Sequence, residues 1–115
     1  MAEQETATPV LDLLTNMTAA SIEATSLDAE TLMLVRIAAL VAVDGPPVSY
    51  LLNIGAAGEA GVDGDQVEGV LTAIAPIVGT ARIASASGKI LRALGIAVNL
   101  AELEEQAEED EESAG

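Results

Sequence analysis

Apolar residues recur along this chain at the spacing of helix faces, and polar or Gly/Pro positions punctuate them. From Pro9, the series Val10, Leu11, Leu13, Leu14 and Met17 predicts a helix with Thr8 as N-cap and Pro9 in the first helical position. A second short helix is expected from Thr18, ahead of Ile22 and Glu23. Ser26, followed by Leu27, Asp28, Ala29 and Glu30, predicts the next helix, with acids in its first turn complementing the helix dipole. That helix runs to about Val43 with apolar residues on nearly every face, the pattern of a central element. Gly45-Pro46-Pro47 closes it and opens another, carrying Tyr50, Leu51, Leu52, Ile54, Ala57 and Ala60 and stopping near Gly61.

Asp63 or Asp65 then caps a helix with Val67, Val70, Leu71, Ile74, Ile77 and Val78, in which Pro76 predicts a kink or break. Gly79-Thr80 separates the last core helix, with Ile83, Ala84, Ile90, Leu91 and Leu94 along one side. Gly95 permits a bend before a final helix through Ile96, Val98 and Leu100. No stretch alternates with the period of a strand, so the expected fold is an all-α bundle of five to seven helices. Its expected limits are a flexible segment over 1–8, a helical domain over 9–101, and an acidic tail over 102–115. Eight acids and no base lie between Glu102 and Glu112, a density that predicts a solvated, disordered tail or a helix fraying outward.

Composition narrows the functional classes. Half of the 115 residues are hydrophobic, yet there is one Tyr and no Phe or Trp, so the core must be built almost wholly from Leu, Ile, Val, Ala and Met. Such a core buries less surface per residue than an aromatic one, and burial against further copies is the expected remedy, hence a homo-oligomer. Four basic residues against 19 acidic ones give a net charge of −15, which argues against nucleic acid and against anionic membrane surfaces. Without Cys or His there is no thiolate nucleophile, no disulfide and no nitrogen or sulfur metal site, and no cofactor or metal is expected. The N-terminus has no basic segment followed by an apolar one, and the uncharged runs are shorter than a membrane span, so a cytoplasmic protein is expected.

Two apolar helices joined at Asp44-Gly45-Pro46-Pro47, a helix ending in Ala60-Gly61-Val62, the DQVEGVL of residues 65–71 and Gly79 after Ile-Val together carry a resemblance. On these features residues 27–95 resemble the carboxymuconolactone decarboxylase family, which includes the alkylhydroperoxidase D-like proteins. The resemblance implies an all-helical fold that assembles as trimers, hexamers or similar rings. In the family's redox branch a Cys-x-x-Cys pair and a following His occupy positions that here are Pro46, Ser49 and Asn53, and a Glu falls near Leu34. Dithiol peroxide reduction needs an attacking and a resolving thiol, so it is not expected of this chain. The decarboxylase branch also resembles a pattern with His on this helix, and Asn53 cannot transfer a proton near neutral pH.

The candidate site residues follow from these positions. Ser49 and Asn53 stand i,i+4 on one face with Tyr50 beside them and Asp44 in the preceding turn, a group able to line a pocket for a small polar ligand. The alternative is a packing serine and a hydrogen-bonded interhelical asparagine. Nucleophilic use of Ser49 would require a base such as Asp44. Arg82, Lys89 and Arg92 form a basic stripe suited to an anion, to an acidic tail or to subunit contacts, or else to ordinary pairing with nearby carboxylates. Arg36 is expected at the pocket rim or paired with Glu30 or Glu59. Asp63-Gly64-Asp65 has the start of a calcium loop without its remaining ligands, which favours helix capping.

The expectation for function is a non-catalytic oligomeric assembly or binding module, with the acidic tail facing solvent or a basic protein partner. The alternative is a decarboxylase or lactone-processing enzyme working through a His-free pocket of Ser49, Tyr50, Asn53 and Arg36. An enzyme needs a wet cavity with convergent polar groups and a titratable residue of displaced pKa.

Overall fold

The computed structural model describes residues 7–114, so the flexible segment expected over 1–8 lies for the most part outside the described residues. Among these residues there are five α-helices and no strand: α1 (Pro9–Ala24), α2 (Ala29–Ala42), α3 (Pro47–Glu59), α4 (Gly64–Val78) and α5 (Thr80–Ala114). The expectation of an all-α bundle of five to seven helices is met.

Three stripes at helical spacing make the core. Met33, Ile37 and Val41 of α2 meet Tyr50, Ile54 and Ala57 of α3 and Ala86, Ile90 and Ala93 of α5. The alanines let the α3 and α5 backbones approach closely, while Ile37, Val41 and Tyr50 supply the volume and are fully buried. Each such large side chain contributes roughly 1.5–3 kcal/mol through burial. Helix α4 has no fully buried residue, and Val67, Val70, Leu71 and Ile74 lie half-buried over the core.

The joints follow from local chemistry. Asp28, rather than Ser26, caps α2, its carboxylate accepting from the Thr31 amide at 2.8 Å. At the end of α2 the amides of Gly45 and Asp44 return to the carbonyls of Leu40 (2.8 Å) and Val41 (3.2 Å), a Schellman closure. Asp44 occupies its left-handed position with φ of 53°, where glycine is usual. The same closure ends α3 with Gly61 at φ of 92°, and Val62 turns into the core behind it. Asp63 and Gln66 form a reciprocal capping box at the start of α4. The Gln66 amide also donates to the Glu30 carboxylate, joining the starts of α2 and α4.

Several expectations are corrected. α1 runs unbroken through Thr18, because nothing in Thr18-Ala19-Ala20-Ser21 forces the chain out of helix. Pro76 lies in the last turn of α4, which continues to Val78 before Gly79, at φ of 89°, redirects the chain. No bend separates a final helix at Gly95: α5 continues through it and through the acidic run. Of the two alternatives for the acidic segment, a disordered tail or a helix fraying outward, the described residues are helical to Ala114 and exposed over 102–111. Glu, Gln and Ala are strong helix formers, and that local preference outweighs i,i+4 repulsions of a few tenths of a kcal/mol each.

The shape is open. The radius of gyration is 17.3 Å, against about 13 Å for a compact chain of this length. The accessible surface is 8012 Å², where a compact monomer of this mass would expose roughly 5,800 Å². Helix α1 buries none of its residues. No described helix is long and apolar enough to cross a membrane.

Candidate functional site

The turn between α2 and α3 lies against the middle of α5, and a polar cluster forms there. The left-handed backbone at Asp44 accompanies a carboxylate bonded to α5: one oxygen accepts from Ser85 Oγ at 2.8 Å and from Lys89 Nζ at 3.0 Å. Lys89 also donates to the Gly45 carbonyl at 2.7 Å, and its ammonium stands 5.9 Å from the centroid of the Tyr50 ring, within cation–π range. The Ser85 hydrogen bond, the Lys89 hydrogen bond and Lys89 charge, and the more distant charge of Arg82 hold the Asp44 carboxyl below its ordinary pKa. Tyr50 is fully buried with its hydroxyl unpartnered among the described residues; burial, reinforced by the Asp44 charge, pushes that phenol upward.

A separate hollow of about 310 Å³ lies between α1, α2 and α3, lined by Arg36 and Asn53 together with Thr18, Ala39, Leu40 and Val43. Arg36 donates to Ser21 Oγ of α1 at 3.1 Å, not to Glu30 or Glu59. Asn53 spends one amide hydrogen on the Ser49 carbonyl one turn back, at 2.9 Å.

The sequence-predicted residues thus divide between two places. Arg36 and Asn53 share the hollow. Tyr50 joins Asp44 and Lys89 in the other cluster, and Pro46 is the exposed N-cap of α3. Ser49 is half-buried, and Asp44 is hydrogen-bonded to Ser85 and Lys89 rather than serving it as a base. Leu34 is packed against the core. The basic stripe also divides: Lys89 and Arg92 border a small groove with Pro47, Val48 and Leu51, while Arg82 is exposed outside it. Ser85 was not singled out from the sequence, although it stands four residues before Lys89 on the same face.

The hollow can offer hydrogen bonds and one positive charge. Among the described residues, the groups with displaced pKa are Asp28, Asp44 and Tyr50: a helix cap, an ion pair and a core side chain. Among the same residues no three His, Cys, Asp or Glu converge as metal ligands, and Asp63 serves the capping box. No protein-family model, curated protein or solved structure gives a match to this chain.

Proposed function

We infer that this chain is a non-catalytic, self-associating module for assembly or binding, a carboxymuconolactone decarboxylase-like scaffold without redox thiols. The observation that carries the reading is that the polar cluster at the α2–α3 turn is bonded into the fold, while the separate hollow at Asn53 is lined, among the described residues, by no carboxylate, thiol or imidazole. Asp44 is bonded to Ser85 and Lys89, Asn53 to Ser49 and Arg36 to Ser21, and the Tyr50 ring is core. A general acid or base needs a proton-exchanging group facing substrate, and the hollow at Asn53 has an arginine and amide and hydroxyl groups instead. Self-association is supported by α1, which buries none of its residues and leaves Val10, Leu13, Leu14 and Met17 exposed. The acidic, exposed end of α5 suits solvent or a basic protein partner, and a cytoplasmic setting accords with a chain lacking cysteine.

Sedimentation velocity at micromolar concentration tests the assembly: an oligomer is expected, and a clean monomer overturns it. The catalytic alternative rests on Arg36 and Asn53 sharing one hollow. Incubation with lactone and β-keto acid substrates should give no turnover. Turnover abolished by Asn53→Ala in a protein of unchanged melting temperature would replace the module with an enzyme.

A further inference from the structure

Helix α1 is amphipathic and its apolar side is uncovered. At 100° per residue Val10, Leu13, Leu14 and Met17 fall on one side, and they are 50–67% exposed. Asp12 and Glu23, the only charges on the helix, project from the other. Beside the apolar stripe lies a hollow of about 410 Å³ between α1 and α3, bordered by Leu11, Leu14, Thr18 and Ile22 and closed on the α3 side by Leu52. Leu52 is itself 68% exposed.

The geometry points to a second copy of this chain as the occupant, with α1 of each copy packed into the hollow between α1 and Leu52 of the other about a two-fold axis. This rests on the assembly reading above and names its surface. The apolar ridge and the hollow that receives it belong to the same helix, the self-complementary arrangement that an isologous contact requires. Charge favours the same face. Two copies, each at −15, repel wherever their carboxylates meet, whereas the stripe of Val10, Leu13, Leu14 and Met17 carries no charge and Arg36 reaches this side of α1 only at Ser21. The face is broad: Val10, Leu11, Leu13, Leu14, Met17 and Ile22, with Leu52 across the hollow, are each at least half exposed, and a two-fold contact buries this set once from each copy. A membrane surface fits less well, because helices that lie on anionic lipid carry Lys and Arg on the polar face and α1 carries only acids. A two-fold contact makes the assembly even in order, a dimer or a hexamer and not an isolated trimer.

The test uses the full chain. Leu14→Glu with Met17→Glu should weaken self-association by ~100-fold or more, while circular dichroism retains the helical signal because neither residue belongs to the core. Leu91→Glu, on the exposed side of α5, should leave the assembly at wild-type mass. The chain has no cysteine, so Met17→Cys supplies one thiol per copy near the middle of α1, where the axis passes, and mild oxidation should give a covalent dimer. Wild-type mass in the glutamate variant, or no cross-link at Met17→Cys in a wild-type oligomer, overturns the α1 contact and leaves the assembly reading standing. A monomeric wild type removes both.

Discussion

Lys89 and Asp44, 45 residues apart, meet at 3.0 Å, and the same ammonium reaches the Gly45 carbonyl at 2.7 Å. One side chain of α5 thereby holds both the carboxylate and the backbone of the turn that joins α2 to α3. Left-handed backbone at a non-glycine residue is disfavoured, and the contacts to Ser85 and Lys89 offset that cost.

The pH dependence of this tether has a definite sign. The folded-state pKa of Asp44 lies below its unfolded value, so its contribution is present above the ordinary carboxylate range and is lost as pH falls through the depressed folded value. Melting curves from pH 6 down to pH 2 should separate wild type from Asp44→Asn by a few degrees at the upper end and converge at the lower. A gap that persists at pH 2 would mean the charge is not what matters there.

Tyr50 is the single aromatic residue and also bears the unpartnered buried hydroxyl. Tyr50→Phe removes a polar atom that burial penalises and should leave stability unchanged or raise it by up to ~1 kcal/mol, whereas Tyr50→Ala should cost roughly 3–5 kcal/mol through the cavity. Because the folded phenol is raised, its contribution is intact below the unfolded value near 10 and is lost as pH rises through the folded value. Absorbance titration near 295 nm should show tyrosinate forming only above the ordinary range, with a jump on unfolding. Ionisation at the ordinary pH in the folded state would place the ring in solvent.

Truncation after Leu103 removes most of the acidic run of α5, whose side chains are exposed over 102–111. Helical circular dichroism should fall in proportion to the residues removed, and the melting temperature of the core should move by no more than a degree or two. In the full chain, raising salt from low concentration to 0.5 M screens repulsions such as Glu104 with Glu108 and should increase helicity. A large loss of stability on truncation would show that the tail packs on the body.

The helix boundaries were readable where a residue's own backbone chemistry decides them. Pro9 and Pro47 open helices, Gly61 and Gly79 take positive φ at helix ends, and Asp63, one of the two caps offered by the sequence, opens α4, its box with Gln66 being shown by the structure. The bend read at Gly95 set a weak local signal against a stronger one: Gly95 lies inside a long segment of good helix formers, so α5 continues through it. Ser49, Asn53, Tyr50 and Arg36 were identified as candidates but not their distribution, because i,i+4 spacing fixes a helix face and says nothing of which neighbour that face meets.

The order of residues by itself determined an all-helical fold, a core that is aliphatic but for at most one ring, and the absence of thiol and imidazole chemistry, since these depend on composition, short-range periodicity and backbone preference. Tertiary structure alone decided that Asp44 is held by Ser85 and Lys89, that Tyr50 is core, that Arg36 faces Asn53, and that α1 leaves its apolar side uncovered. Those facts rest on contacts between residues 15 to 45 positions apart, set by how whole helices pack, which no local pattern encodes.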